Sequence, residues 1–227
     1  MEIKVRNIEK SYRSGTGRRK KILQGLDLDA AGGECIGIAG KNGCGKSTLL
    51  SVLAGVQKAD AGSFLMDGTE LFSRPRDLSR NVGLVPQAPA LMDELSALDN
   101  LLMWYPKRDI IKELDSGVLG MLGIGDFLRT RVRNLSGGMK KRLSIGCVMH
   151  TMPPMLLLDE PCAALDLECR ENILGYVRDY VSKGGLAVLT SHDPMELEIC
   201  TRHYIMKDGR LSPYSYDGDV TKLVSSL

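Results

Sequence analysis

The stretch GKNGCGKST, residues 40–48, constrains the fold of this chain more than any other feature. It fits the pattern GxxxxGK[ST], in which a glycine-rich loop leads from a strand into a helix. The apolar run 34–39 precedes it, and the helically spaced stretch LLSVLAGV follows it. With glycine at about 7% of average composition, chance produces this pattern in roughly one chain of this length in a hundred. The sequence therefore predicts a phosphate-binding loop between a strand and a helix.

Each part of this loop has a chemical role in holding a nucleoside triphosphate. Backbone N–H groups surround the phosphates, Lys46 reaches the β and γ oxygens, and the Ser47 hydroxyl binds Mg²⁺. A glycine-rich turn without a ligand is the alternative, and the order strand, loop, helix argues against it. The residues expected to contact nucleotide are Gly40, Lys41, Asn42, Gly43, Cys44, Gly45, Lys46, Ser47 and Thr48.

Two acidic residues and a histidine come at the ends of two similar apolar runs. MLLLDEP is a continuous apolar run that ends in Asp159 and Glu160, as expected for a strand buried on both faces of a parallel sheet. Ligands collect beyond such strand ends, where one carboxylate can hold Mg²⁺ and a second can activate an attacking water. His192 comes at the matching point of LAVLTSHD. A lone histidine after a strand is usually structural, but opposite two acids and a phosphate loop it is a candidate for catalysis.

The stretch NLSGGMKKRL, residues 134–143, contains a second candidate anion site. Ser136 can cap a helix, and the glycines that follow let backbone N–H groups approach an oxyanion closely. Lys140, Lys141 and Arg142 come next, near the positive end of the helix dipole, where an isolated helix prefers acids. A bound anion would turn this repulsion into attraction. A solvated basic helix start is the alternative, and this stretch alone does not decide between the two.

The spacing of apolar residues predicts an α/β fold. Strand-like runs at 2–8 and 22–28, separated by the loop RSGTGRRKK, predict an antiparallel hairpin near the N-terminus. Further along, strand patterns alternate with helical patterns at 168–181 and 194–200. This alternation predicts a core with a mainly parallel sheet.

The middle of the chain is predicted to form a helical lobe. ALDNLLMWY and KELDSGVLGML have the spacing of helices, and the lobe extends over about residues 96–150. The last part of the chain predicts a β-hairpin that turns on Asp208 and Gly209, followed by a short polar end.

Composition excludes several classes of protein. The chain has 227 residues, 43% of them hydrophobic and 26% charged, which is ordinary for one globular domain. A net charge of +2, with 3 Phe and 1 Trp, gives neither a basic footprint nor an aromatic platform for nucleic acid. The sequence contains no run of about 18 apolar residues, so it predicts no membrane span. The six cysteines form no CxxC or Cys/His pair and are expected to be reduced thiols of a cytosolic protein.

Taken together, these motifs resemble those of the nucleotide-binding domain of ATP-binding cassette (ABC) proteins, over essentially the whole chain and in the family's order. The resemblance implies a single domain over 1–227, built as a P-loop NTPase core with an N-terminal antiparallel β subdomain and an inserted α-helical subdomain. The matches are Tyr12 to the adenine-stacking aromatic, residues 40–48 to the Walker A loop, Gln87 to the Q-loop, LSGGM to the family signature, MLLLDE to Walker B, ALD with Asp166 to the D-loop, and His192 to the switch histidine. From the residues alone, Asp166 is equally a helix N-cap.

The resemblance implies an ATPase that acts as a pair of chains. In the family, the signature of one subunit closes on the γ-phosphate of ATP held by the Walker A loop of the other. The donors at the signature would be Ser136 and Gly138, and Gly137 between them is also expected to contact nucleotide. The implied catalytic residues are Lys46, Gln87, Glu160 as base and His192, and the implied ligands of Mg²⁺ are Ser47, Gln87 and Asp159.

The resemblance also implies partners. They are transmembrane permease subunits and a second nucleotide-binding subunit, as a homodimer or with a close paralogue, at the cytoplasmic face of a membrane, with no nucleic acid. LSGGM followed by basic residues resembles the ABC-2 exporters, which favours export. An ABC ATPase of a soluble machine, such as one for iron-sulphur cluster assembly, is the alternative. A GTPase or small-molecule kinase would leave LSGG unexplained, and the chain has no NKxD.

Two residues depart from the family pattern. Met139 stands where the signature usually ends in glutamine, and it cannot make the hydrogen bonds of glutamine, so we expect weaker contacts to nucleotide across the dimer. Cys44 replaces the more usual alanine or serine in Walker A. A thiol in a positively charged loop has a lowered pKa, so we expect Cys44 to be reactive.

Overall fold

The computed structural model describes residues 1–13, 19–163 and 165–227. The central part of the predicted RSGTGRRKK loop, residues 14–18, lies outside the described residues, as does Ala164 of the ALD stretch. In chain order the elements are β1 (Glu2–Arg13), β2 (Arg19–Ala31), β3 (Cys35–Ala39), α1 (Lys46–Leu53), β4 (Ala61–Met66), β5 (Thr69–Glu70), α2 (Pro75–Asn81), β6 (Val82–Val85), α3 (Ala97–Leu102), α4 (Lys107–Ser116), α5 (Val118–Met121), α6 (Gly137–Val148), β7 (Met155–Asp159), α7 (Leu167–Ser182), β8 (Leu186–Thr190), α8 (Pro194–Glu198), β9 (Arg202–Lys207), β10 (Arg210–Tyr214) and α9 (Val220–Ser226). Short 3₁₀ helices cover Ile124–Phe127, Val132–Asn134 and Met149–Thr151.

An antiparallel sheet in the order β2-β1-β4-β5 contains the predicted N-terminal hairpin. Ile3, Val5 and Ile8 of β1 are fully buried, and the polar residues between them are not, as expected for a sheet with one face on the core. Both strands are longer than predicted, because the backbone ladder continues through charged residues as far as the pair Arg13 and Arg19. The ladder thereby carries Tyr12 beyond the apolar part of the hairpin.

The core sheet has the order β10-β9-β3-β8-β7-β6. Its neighbours from β9 to β6 are parallel, and β10 pairs with β9 antiparallel. Every residue of β3, β7 and β8 is buried, which is why these strands have continuous apolar runs in the sequence. The prediction of an α/β fold with a mainly parallel sheet and an antiparallel N-terminal part is therefore confirmed.

Helices α3, α4, α5 and α6 pack around a hydrophobic cluster that also contains residues of β7 and α7. The stretch KELDSGVLGML, predicted as a single helix, is two helices, because Gly117 is extended and ends α4. The carboxylate of Glu113 accepts a hydrogen bond from the backbone N–H of Val118 at 2.9 Å, so it caps the start of α5. The assignment of residues 96–150 to a separate subdomain stays a prediction.

Helices α2 and α9 were not predicted. The segment predicted as a short polar end contains α9, whose N-cap Asp219 accepts hydrogen bonds from the N–H groups of Thr221 and Lys222. Leu223 of α9 is buried in a cluster with Ala39 and Leu197. Among the described residues, no helix is long and apolar enough to cross a membrane.

Candidate functional site

The carboxyl ends of β3, β8, β7 and β6 meet at one edge of the core sheet. A cavity of about 460 Å³ opens there, at the position where open α/β sheets bind ligands. Each of these strands is followed by one of the predicted motifs. The cavity is lined by Tyr12, Ile22, Asn42, Gly43, Gly45, Lys46, Ser47, Thr48, Gln87, Glu160 and His192.

The glycine loop joins β3 to α1, as predicted. Gly43 and Gly45 have φ of 77° and 117°, in the left-handed region that residues with a Cβ rarely adopt. A Cβ on Gly40 would lie 2.5 Å from the carbonyl oxygen of Met206. These three glycines are therefore required by the backbone of the loop. Cys44 is half-buried in the same loop, and its reactivity stays a prediction.

Lys46 begins α1 and is only 6% exposed. Its ammonium donates hydrogen bonds to the carbonyl oxygens of Gly40 and Lys41 and lies 3.0 Å from Nε2 of His192. Since an ammonium can only donate, Nε2 of His192 accepts this hydrogen bond. The cation of Lys46 is thus held at the base of the cavity by backbone and imidazole.

The end of β7 is fixed by Thr190 at the end of β8. The hydroxyl of Thr190 donates to Oδ1 of the buried Asp159 at 2.6 Å, and the backbone N–H of Glu160 donates to the Thr190 carbonyl oxygen at 3.1 Å. Glu160 has φ of 45°, so its side chain turns away from the strand direction into the cavity. Thr190 was not predicted as a site residue, because its partner Asp159 lies on a different strand, 31 positions away in the sequence.

The carboxylate of Glu160 lies between two other predicted residues. Gln87 donates its side-chain N–H to Oε2 at 2.6 Å, and Nε2 of His192 lies 4.0 Å from Oε1. Burial lowers the pKa of His192, the ammonium of Lys46 lowers it further, and Glu160 opposes both. The imidazole is therefore neutral at pH 7, in the form that accepts the hydrogen bond from Lys46.

The side chains predicted to hold Mg²⁺ fit that ion by their chemistry. Mg²⁺ prefers oxygen ligands, and Ser47, Gln87 and Asp159 offer a hydroxyl, an amide oxygen and a carboxylate. Ser47 and Gln87 line the cavity, and Asp159 lies at the end of β7 directly before Glu160. The side-chain N–H of Gln87 donates its hydrogen bond to Glu160, so the amide oxygen of Gln87 remains available to a cation.

Tyr12 lies at the rim of the cavity. Its side chain is 39% exposed, and its hydroxyl donates a hydrogen bond to the amide oxygen of Gln57. The ammonium of Lys10 lies 5.6 Å from the centre of the ring. Ile22 on the neighbouring strand lines the cavity as well and was not predicted. The two side chains together form an apolar wall on which a base can stack.

The signature residues lie outside the lining of this cavity. Ser136 is the N-cap of α6 and accepts a hydrogen bond from the N–H of Met139 at 3.2 Å, as the sequence predicted. Gly137 is exposed, and a Cβ built on it has no heavy atom within 4 Å. Gly138 is buried, and a Cβ there would lie 2.7 Å from Sγ of Cys169. Only Gly138 therefore has a reason within the chain to be glycine.

Asp166 also lies outside the cavity lining, at the start of α7. Its carboxylate accepts a hydrogen bond from the N–H of Cys169 at 2.8 Å, so it is the N-cap of α7. This bond holds the pKa of Asp166 below its ordinary value. Of the two roles expected for Asp166, the N-cap is therefore confirmed. A contact between Asp166 and nucleotide stays a prediction.

The basic side chains after the signature find partners inside the chain. Lys140 pairs with Asp93 at 3.1 Å, and Arg142 donates to the carbonyl oxygen of Leu122 at 3.1 Å. Lys141 is buried, and burial lowers its pKa while nearby acids, Asp159 first among them, raise it. Lys141 thus fits neither an anion site nor a solvated helix start, and an anion contact at Ser136, Gly137 or Gly138 stays a prediction.

Comparison with known proteins identifies relatives along nearly the whole chain. The family model described as ABC transporter matches residues 23–163. The linearmycin resistance ATP-binding protein LnrL of Bacillus subtilis (strain 168) is 30% identical over 92% of this chain and 67% of its own length. The Nod factor export ATP-binding protein I of Rhizobium sp. (strain N33) is 34% identical over 84% of this chain and 64% of its own length. The chain thus spans about two thirds of the length of these curated relatives.

A solved structure has the same fold. It is a dimeric ATP-binding cassette in a post-hydrolysis state with ADP and Pi, 26% identical, with a TM-score of 0.82 over 94% of this chain and 98% of its own. The order of the motifs, the position of the cavity and these matches agree with one another. The chain belongs to the ABC transporter family, as an ATP-binding cassette.

Proposed function

We propose that this chain binds and hydrolyses ATP and thereby powers transport through separate transmembrane subunits. The observation that carries the proposal is the convergence of Lys46, Gln87, Glu160 and His192 on one cavity at the edge of the parallel sheet. Phosphoryl transfer needs mainly positioning and stabilisation of charge, and this cavity offers a cation, a carboxylate base and loop N–H groups together.

Glu160 is the general base of the proposed reaction. Its backbone is fixed by Thr190 and its carboxylate by Gln87, so the carboxylate can accept a proton from a water aimed at the γ-phosphorus. Lys46 stabilises charge on the phosphate oxygens. Ser47, Gln87 and Asp159 would hold Mg²⁺, which would supply further positive charge opposite the phosphates.

His192 orients two of these groups. Its neutral imidazole accepts a hydrogen bond from Lys46 at 3.0 Å and faces Glu160 across 4.0 Å. The ring thus keeps the ammonium of Lys46 apart from the carboxylate of Glu160, so that both charges stay directed at the cavity rather than at each other.

A second subunit completes each site in this proposal, as a homodimer or with a close paralogue. Ser136, Gly137 and Gly138 begin a helix away from the chain's own cavity, and a helix start with exposed N–H groups binds anions. Leu167, next to Asp166, is 70% exposed, and the proposed interface between chains would cover it. The signature of one chain then contacts the γ-phosphate bound to its partner.

The transmembrane subunits have a candidate docking surface beside Gln87. An apolar groove of about 560 Å³ runs from Pro86 and Ala88 to Val148 on α6, and Trp104 on its rim is 53% exposed. Pro86 and Ala88 line the groove, and Gln87 between them lines the cavity, so a helix of a membrane subunit seated in the groove would lie next to the Gln87 backbone. The relatives are named for export and for resistance, and these names support a role in a transporter that exports its substrate. The chain would then lie at the cytoplasmic face of the membrane.

Replacing the base tests the ATPase part of this proposal. We expect Glu160→Gln to bind ATP as the unchanged protein does and to hydrolyse it ~10² to 10⁴ times more slowly, the range for loss of a general base. Turnover is measured by phosphate release and binding by titration with ATP. Equal turnover in both proteins would remove Glu160 from its role.

Recovery of partners from detergent-solubilised membranes tests the transporter part. A tagged chain should retain a membrane subunit, and Trp104→Glu should lose it because a charge enters the apolar groove. Lys112→Glu, an exposed change on α4, serves as the control and should retain the subunit. Recovery of soluble partners alone would favour the alternative of a soluble machine.

A further inference from the structure

Lys141 is a buried cation for which the proposed reaction gives no role. It lies on α6, three residues after Gly138, and its side chain is 4% exposed. Burying a charged group costs free energy unless it is hydrogen-bonded, so buried lysines are rare. The ammonium of Lys141 donates to the carbonyl oxygens of Pro86 at 2.9 Å, Gln87 at 3.1 Å and Asp159 at 3.4 Å.

The three acceptors belong to the ends of two neighbouring strands. The ladder between β6 and β7 ends at the pair Val85 and Leu158. The peptide groups of Pro86, Gln87 and Asp159 come directly after this pair, where β6 and β7 no longer bond to each other, although Asp159 still pairs with Thr190 of β8. An ammonium has three donors, and here they meet three carbonyl oxygens. Lys141 thus joins the chain after β6 to the end of β7 at the point where the ladder stops.

These same peptides carry the side chains of the proposed site. The side chain of Gln87 donates to the carboxylate of Glu160 at 2.6 Å, and Asp159 is the residue directly before Glu160. Lys141 therefore holds the backbone on both sides of the contact between Gln87 and Glu160. Because Lys141 is also one helical turn from Gly138, the start of α6 is tied to the same point.

We propose that Lys141 is a positioning residue, which fixes the Gln87 segment against the end of β7 and thereby sets the contact between Gln87 and Glu160. This inference rests on the proposed function, since Gln87 and Glu160 have their roles there. Lys141 has this role within a single chain, without a partner subunit. Its ammonium then holds both the segment next to the general base Glu160 and the start of α6.

A double-mutant cycle tests this inference. Lys141→Met keeps the length of the side chain and removes its three donors, and Gln87→Ala removes the side chain through which Lys141 acts. We expect Lys141→Met to lower kcat on the order of 10- to 100-fold while KM for ATP changes by less than about 3-fold. In the Gln87→Ala background the same change should lower kcat by less than about 2-fold, because interacting residues are not additive.

Amide hydrogen exchange gives a readout that does not depend on turnover. The amides of Gln87 and Ala88 should exchange faster in Lys141→Met than in the unchanged protein, and at the unchanged rate in Lys112→Met, which removes an exposed ammonium from α4. If the unchanged protein does not hydrolyse ATP, the proposed function fails, while exchange at these two amides still tests the anchor. Lys141→Arg, which keeps the charge in a planar fork, should have intermediate kcat and takes the place of Lys141→Met in the cycle if the latter does not fold.

Three outcomes would overturn the inference. One is an equal loss of kcat from Lys141→Met with and without Gln87, which would make the lysine a general stabiliser of the fold. Another is unchanged exchange at the amides of Gln87 and Ala88, which would mean that the three hydrogen bonds do not fix this segment. A larger change in KM than in kcat would equally contradict a positioning role.

Discussion

The charge of His192 depends on two neighbours of opposite sign. Burial and then the ammonium of Lys46 lower its pKa below the ordinary 6.5, and the carboxylate of Glu160 opposes them. The folded chain therefore binds this proton more weakly than the unfolded chain does. Above about pH 6.5, His192 is neutral in both states and does not lower the free energy of unfolding. As the pH drops below that value the free energy of unfolding falls, until His192 is protonated in the folded chain too.

We expect Lys46→Ala to raise the pKa of His192, because the change removes the positive charge 3.0 Å from Nε2. The measurement is an NMR titration of the imidazole C–H resonances, assigned with His192→Gln. Lys112→Ala removes an exposed lysine of α4 and should leave the titration where it was. A titration of His192 at or above 6.5 in the unchanged chain would contradict the assigned burial and the Lys46 contact.

The residues that the sequence could assign are those with a motif around them, such as Lys46, Glu160 and His192. Thr190 and Lys141 could not be assigned in this way. Thr190 acts across a strand pair, on a carboxylate 31 positions away in the sequence. Lys141 follows the signature, where basic residues suggest binding of a phosphate. Its ammonium instead contacts backbone carbonyl oxygens, because α6 packs on the ends of β6 and β7, and the sequence does not contain that packing.

The first turn of α6 contains two glycines, of which the fold requires Gly138 but not Gly137. Gly138 packs on Cys169 of α7, whereas Gly137 has open space where a Cβ would be. In a helix, alanine is favoured over glycine, so Gly137 has no advantage within an isolated chain. The proposed approach of a partner's phosphate to this backbone gives a reason for the glycine.

We expect Gly137→Ala to leave the melting temperature equal or slightly raised. It should lower ATP hydrolysis by roughly 10²-fold, because the added methyl group would keep the partner's phosphate away from the backbone N–H groups, with an effect like that of losing one oxyanion donor. Gly138→Ala should lower the free energy of unfolding by about 1 to 3 kcal/mol, because its Cβ would overlap Cys169. Thermal unfolding and phosphate release are measured on both variants. A loss of stability in Gly137→Ala as large as that in Gly138→Ala would mean that its glycine serves the fold.

The elements that the sequence predicted well are the ones whose burial produces a simple pattern. Strands β3, β7 and β8 are buried throughout and have continuous apolar runs. Helix α9 is seven residues long and has Leu223 as its buried residue, so it leaves no amphipathic period to recognise. The break at Gly117 depends on the carboxylate of Glu113 capping α5, a tertiary detail that helical spacing does not contain.

The molecule as a whole has two proposed phosphate-binding surfaces, and a single chain does not bring them together. The cavity lies at the carboxyl edge of the core sheet, and the start of α6 lies outside its lining. Met139 is half-buried and packs against the hydrophobic cluster around α6, and its side chain lacks the hydrogen-bonding groups of a glutamine. The proposed pairing of chains would then depend on Ser136 and the glycine backbone.

The mass of Glu160→Gln in solution, measured by light scattering, tests this pairing. Blocked hydrolysis should trap nucleotide between two chains, so we expect the mass of a monomer without nucleotide and of a dimer with Mg-ATP. Adding Gly137→Ala to the variant should return the monomer, because the change disturbs the signature and leaves the chain's own cavity intact. A monomer in Mg-ATP, with ATP shown to be bound, would contradict self-association and make closure dependent on the membrane subunits or on a paralogue.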